Sequence, residues 1–339
     1  MPSIPVDMKT LLTFCLSILF TSTSLFAQWV PIKNTTTREV TIATEARPGS
    51  VVLTIDLPGF YKTQDYNCTY SLQLPDGVNQ TETGFPDMQH LAVSIQIPGK
   101  GTTTLKVLKA EYIEVNDLKI GPSKGDPQFS TQTGWHNPEP VTLAYENDQF
   151  YPLALAKAGD PYILGGFRGQ ALHIYPLKYH PLSHIVRIYH HIVLELQFND
   201  ETGMNELTAS SPITKGGMAE YAAEHFVNGM SNERYVPVTE GSGMLIVTPA
   251  AFVPLFDEFV KWKAQCGIQC TIIPAEEAAG TGSIQKKVKE LYFGEGLSYL
   301  LLAGDVTSVP TLTNSNGMGD NMYGFIEGND HYPEIITGR

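Results

Sequence analysis

The chain has 339 residues, 17% of them charged, and 35 acids against 22 Lys and Arg leave a net charge of −13. With no basic field to neutralise phosphates, nucleic-acid binding is excluded as a function class. The length suits two domains with a core each, and 30 glycines with 23 prolines fit a β-rich, loop-rich protein better than a helical bundle.

Residues 1–27 have the layout of a secretory signal. Lys9 precedes an apolar stretch over 11–26, and small Ala27 stands ahead of Gln28 as the expected cleavage site, with Met8 as an alternative start. The stretch is short and diluted with Ser and Thr, so no stable membrane span is expected, and a soluble exported protein follows. An anchor helix or buried strand is the alternative. Residues 28–200 then show short strands near period two: "EVTIAT", "SVVLTIDL", "LAVSIQIP", "TTTLKVLKAEYIEV", "ALHIYPLKYH" and "IVRIYHHIVLELQF". Gly and Pro punctuate the gaps, which predicts an all-β, sandwich-like domain.

Residues 201–242 are polar and small, with one briefly helical stretch, "MAEYAAEHFVNGM", and are expected to form an exposed linker. From 243 to 339 the period changes. "MLIVTP", "IQCTIIP" and "LSYLLLAGD" are apolar strands separated by two helices. The first helix is predicted to bury Phe252, Leu255, Phe256 and Phe259 and to stop at Gly267. The second is predicted to start at Ser283 as N-cap. This β-α-β-α-β order opens a parallel sheet, and three strands make an incomplete domain by ordinary size. Working groups in such sheets lie beyond the strands' carboxyl ends, where Asp305 falls.

The candidate chemistry is sparse. Cys15 lies in the signal, and Cys68, Cys266 and Cys270 are an odd set for a disulfide framework. Cys266 sits at a helix end, where the macrodipole disfavours a thiolate. No G-x-S-x-G elbow supports a serine nucleophile. Five of the nine histidines fall between His173 and His191, yet His190 and His191 point to opposite faces of a strand, so solvent-facing strand and turn residues are expected. In "GNDHYPEIITGR", Asp330 and Glu334 would share one face of a strand and His331 would not. That arrangement suits calcium better than acid–base work, while plain surface acids are the alternative.

Together these features resemble a gingipain-type cysteine endopeptidase precursor. The resemblance runs through "YPLALAKAGDPYILGGFRGQALHIYPLKY", "RIYHHIVLELQF", "ERYVPV", "GMLIVTPAAFVPLFDEFVKWKAQCGIQCTII", "LSYLLLAGDVTSVP" and "DNMYGFIEGNDHYPEIITGR", in the family's order. It implies an all-β propeptide domain, sandwich-like, followed by an incomplete α/β caspase-like domain with a parallel sheet. It implies a secreted or cell-surface zymogen acting on protein or peptide substrates, with its own propeptide as intramolecular inhibitor. Maturation would cut after Arg234 and leave Tyr235 as the new N-terminus. A structural calcium would draw on Asp330 and Glu334, with Asp305. The family's catalytic histidine and cysteine both come after "GNDHYPE", so no catalytic residue is carried onto this chain, and 1–339 alone is expected to be inactive. The competing class is a non-enzymatic secreted β-sandwich adhesion module with a small α/β lobe.

Overall fold

The computed structural model describes residues 27–339 except 33–35, 65–67, 126–138, 209–210, 213–216, 230–241, 279–280 and 315–316. The N-terminal half is built from eleven strands: β1 (Gln28–Pro31), β2 (Thr41–Arg47), β3 (Ser50–Asp56), β4 (Gly59–Gln64), β5 (Tyr70–Gln73), β6 (Leu91–Gln96), β7 (Thr102–Val115), β8 (Ala156–Leu164), β9 (Phe167–Ile174), β10 (Leu177–His180) and β11 (Ile185–Asn199). One turn of helix, α1 (Thr142–Tyr145), lies between β7 and β8.

β11 organises the largest sheet. One of its edges pairs with β7 along its length, and the other is shared by β10 and then β3, which carries β2. Along β11 the buried residues alternate with half-buried ones (Val186, Ile188, Ile192, Leu194, Leu196), as a strand with one face in the core requires. Two three-stranded sheets, β1-β4-β5 and β6-β9-β8, contribute Phe60, Leu72, Ile95, Leu172 and Ile174 to the same core, which makes the domain sandwich-like. Each fully buried Leu or Ile there contributes about 1.5–3 kcal/mol of transfer free energy.

"ALHIYPLKYH" is two strands rather than one, because Pro176 interrupts the ladder between β9 and β10. β8 escapes the period-two pattern: Gly159 and Pro161 sit at a register shift, tolerated because β8 is an edge strand. β8 and β9 are joined by Gly165 and Gly166, both at positive φ, as a two-residue hairpin of type I′ demands.

The expected linker is only partly one. α2 (Gly217–His225) occupies "GMAEYAAEH", and Met218, Ala222 and Phe226 are buried against Tyr162 and Leu164. Just beyond it, the Asn228 carboxamide exchanges two hydrogen bonds with the backbone of Gln96 at the end of β6.

The C-terminal part has the parallel order β13-β12-β14-β17: β12 (Ser242–Thr248), β13 (Ile268–Pro274), β14 (Leu297–Leu302) and β17 (Ile336–Gly338). β15 (Leu312–Asn314) and β16 (Gly317–Gly319) form a separate hairpin. α3 (Asp257–Gln265) ends before Gly267, which has φ of 80°, as expected. The predicted apolar face differs: Phe256 is half-buried, but Phe252 and Leu255 are exposed. Residues Ala250–Phe256 wind as a 3-10 helix around Pro254, so three residues per turn place 253 and 256 inward and 252 and 255 outward. α4 (Thr281–Glu295) begins two residues before Ser283, which therefore is not its N-cap. Ile284, Val288, Leu291 and Tyr292 form its buried stripe at helical spacing.

Candidate functional site

Thr248, at the end of β12, is fully buried and donates its hydroxyl to the Ala303 carbonyl, 2.9 Å. Asp305 lies just past β14, at a carboxyl end as predicted. One of its oxygens accepts the Thr307 hydroxyl and the amides of Thr307 and Ser308, 2.7–3.1 Å, and these bonds lower its pKa to about 2. Asp305 therefore caps its own turn. Elsewhere on this face Asp320 and Arg339 form a two-pronged ion pair, 2.7 Å on each prong, and Arg339 Nη1 also donates to the carbonyls of Gly304 and Val309. The ion pair holds the Asp320 carboxyl below its usual range.

"GNDHYPE" is a loop, not a strand, so Asp330 and Glu334 do not share a face. Gly328 starts it at φ of 72°, and a Cβ there would come 2.7 Å from Asp330 Oδ2. Asp330 turns toward the N-terminal domain: Oδ2 accepts the Ile163 amide, 2.9 Å, and Oδ1 the Tyr332 amide, 3.0 Å. Glu334 turns inward and is 2% exposed. Its Oε2 accepts the amides of Ile326, 2.6 Å, and Glu327, 3.1 Å, while Oε1 is buried without a partner. Burial pushes its pKa up to about 8 against those two bonds. Glu327, also buried, accepts the hydroxyls of Tyr292, 2.6 Å, and Ser211. His331 is exposed near the Phe325 ring, so no His331–Glu334 acid–base pair forms. Among the described residues no three His, Cys, Asp or Glu side chains converge on a cation. Asp305, Asp330 and Glu334 thus point to different places, and of the three only Glu334 has a buried oxygen without a partner.

The seam between the two halves carries a second set of polar and aromatic contacts. Tyr332 stacks on Tyr162 with ring centroids 3.9 Å apart, and the Gly165 amide donates to the Pro333 carbonyl, 3.1 Å. The Tyr162 hydroxyl meets His225 Nε2 at 2.7 Å. Residues 203–207 run along the seam as a strap. Arg168, 1% exposed, donates to the carbonyls of Pro98, Gly101 and Met204, and burial lowers its pKa. Glu206 accepts the amides of Gly203 and Gly101, and these bonds lower its pKa. None of Arg168, Asn205, Glu206 or Tyr332 stands out in the sequence as functional.

Comparison with known families gives two matches: Propeptide_C25 over residues 42–224 and Peptidase family C25 over 239–339. The chain belongs to peptidase family C25. It is 32% identical over 275 residues to Gingipain R2 of Porphyromonas gingivalis, covering 78% of this chain and 36% of that protein. It is 31% identical over 277 residues to Gingipain R1 of the same organism, covering 78% of this chain and 27% of the relative. The chain thus spans about a third of the length of these relatives or less. The complex of Porphyromonas gingivalis RgpB pro- and mature domains is similar in structure with a TM-score of 0.49 and 25% identity, covering 57% of this chain and 97% of that one. Membership of C25 disfavours the adhesion-module alternative.

In this C25 chain Arg168, Asn205 and Glu206 fall within the propeptide match, and Asp330, Tyr332 and Glu334 within the peptidase match. The seam therefore joins the family's two modules. The C25 chain's histidines between 173 and 191 do not gather at one place: His191 pairs with Asp56, His180 with Asp148, and His173 with His90 at 3.2 Å. Cys68 and Cys266 are exposed free thiols, and burial raises the pKa of Cys270, the reverse of nucleophile activation. Gln28 is exposed and starts β1, paired with Lys62 of β4. Arg234 and Tyr235 lie outside the described residues. Among the described residues no helix is long and apolar enough to cross a membrane.

Proposed function

We propose that this chain is the latent form of a secreted cysteine endopeptidase, with residues 28–200 as inhibitory propeptide and 243–339 as part of the catalytic domain. The observation that carries this reading is the seam: an edge strand of the propeptide match is bonded and stacked onto the "GNDHYPE" loop of the peptidase match. The proposed reaction is attack of a cysteine thiolate on the scissile carbonyl of a protein or peptide, with a histidine holding the proton. Neither role is assigned to a residue of this chain. An exported protein would lose its signal between Ala27 and Gln28, and maturation would follow Arg234. Calcium is proposed only through Glu334 Oε1, the one buried oxygen without a partner among the expected donors.

The test uses the β-domain together with the strap and α2 that pack against its β8–β9 hairpin. Residues 28–229, which keep the 203–207 strap and α2, are added to a purified C25 peptidase turning over an arginyl or lysyl peptide substrate. Dose-dependent inhibition is expected, and unchanged turnover at saturating β-domain would sink the latent-zymogen reading. Trypsin digestion of the full chain should yield a fragment beginning at Tyr235; cuts within 28–200 that spare Arg234 would misplace the boundary.

A further inference from the structure

β8 is an edge strand whose outer polar groups need partners. Leu164 faces Phe167 and Tyr162 faces Gly169 across the hairpin, so the alternate positions Pro161 and Ile163 direct their backbone groups away from β9. An exposed row of this kind ordinarily recruits another strand. Among the described residues no strand pairs with this edge. The Pro161 carbonyl accepts the Asn205 carboxamide, 2.8 Å, and the Ile163 amide donates to Asp330 Oδ2, 2.9 Å. The Gly165 amide donates to the Pro333 carbonyl, 3.1 Å.

Asn205 is the residue that makes the loop and the strap act as one partner. Its Nδ2 also reaches Asp330 Oδ2 at 3.4 Å, and its Oδ1 accepts the Asn329 amide, 2.9 Å. Its backbone has φ of 48°, a conformation that Asn tolerates better than most residues with a side chain. Both neighbours are tied to the N-terminal domain, Met204 through Arg168 and Glu206 through the Gly101 amide, and the Leu207 amide donates to the Gly99 carbonyl. Asn205 therefore belongs to the propeptide side and reaches across to the peptidase side. An aspartate there would lose the donor that Pro161 needs and would face the Asp330 carboxylate.

We propose that Asn205 and Asp330 form the latch by which the propeptide recognises the peptidase segment, independently of the covalent connection between them. The ligand of the Asp330 loop is then an extended strand edge, supplied in this chain by β8. The inference rests on the latent-zymogen reading for its role in latency, but the contact itself is measured without any peptidase assay.

The experiment uses the full chain with a specific protease site inserted between 230 and 241. After cutting, the two fragments are separated by dilution and gel filtration. Wild-type fragments should co-elute. Asn205→Asp and Asp330→Asn should each weaken association about tenfold or more, the loss of one or two hydrogen bonds to a charged group. The double variant should recover part of that loss, because the exchange keeps one carboxamide and one carboxylate facing each other, with donor and acceptor swapped. Fragments that stay as tightly associated in both single variants, or effects that simply add in the double, would overturn the latch. In the uncut chain, Ile163 amide hydrogen exchange should accelerate in Asp330→Asn while core amides such as Leu172 keep their protection. Loss of protection at both places would mean a general folding defect, and the milder Asn205→Gly, which keeps the left-handed backbone, then decides: unchanged Ile163 exchange there rejects the latch. Inhibition of a C25 peptidase by residues 28–229 can fail while the cut fragments still co-elute, so the two readings fail separately.

Discussion

Glu334 shows how one side chain changes meaning between sequence and structure. In the sequence it is half of an acid pair flanking His331. In the fold its Oε2 is taken up by two backbone amides and its Oε1 is buried without a partner. Such an oxygen is satisfied by a proton or a cation. Thermal melts of the wild type and Glu334→Gln, with calcium and with a chelator, separate the two. If calcium binds there, calcium raises the wild-type Tm and the variant loses that response. Identical melts with and without calcium would leave the proton as the occupant and remove calcium from this site. Asp330, next to His331, reads in the sequence only as a surface acid or a calcium ligand. Its partner Asn205 lies 125 positions away in a polar stretch that local pattern cannot assign.

Among the elements, β6 and β11 are plain from their alternation, because each has one face in the core. β8 is not, since Gly159 and Pro161 break the pattern where an edge strand tolerates it. The β8–β9 hairpin makes a sharp prediction. Gly165 and Gly267 both have positive φ, but a Cβ at Gly165 would meet Met218 Cγ at 2.6 Å, while at Gly267 nothing lies within 4 Å. Both Ala variants should lose about 1–2 kcal/mol for the left-handed backbone. Gly165→Ala should lose about 1 kcal/mol or more beyond that for crowding. Equal urea midpoints for the two variants would mean that α2 is not seated against the hairpin. The first helix of the parallel domain departs from expectation for a related reason: Pro254 and the 3-10 winding change which residues share a face, and a pattern counted at 3.6 residues per turn misses it.

At the scale of the whole molecule, the two halves meet across aromatic rings and a half-buried histidine. His225 touches Tyr162 and lies among Tyr221, Phe226 and Tyr332. Burial lowers its pKa from 6.5, so the folded state favours the neutral ring. The sign follows from linkage: the unfolded chain takes up a proton at higher pH than the folded one. Stability from this group is therefore fully present above about pH 6.5 and declines as pH falls from there toward the lower folded pKa. His90 carries a shift of the same direction, so the comparison of wild type with His225→Gln isolates the seam. The variant should show a shallower loss of Tm between about pH 7 and pH 5. An unchanged slope would show that protonation of His225 is not coupled to the seam.

Hydrophobic period, turn residues and ordered motifs are enough to divide this chain into a β-rich domain and a parallel α/β domain, and to point to its family. Those features are local: alternation, helical spacing and Gly or Pro positions act over a few residues, so they survive in one dimension. The linker's role, the separation of Asp330 from Glu334 and the docking of β8 depend on tertiary structure. Each turns on which backbone group remains unpaired after the sheets have formed, and that is settled only when Asn205 and Asp330 come within hydrogen-bonding distance of β8 and of each other.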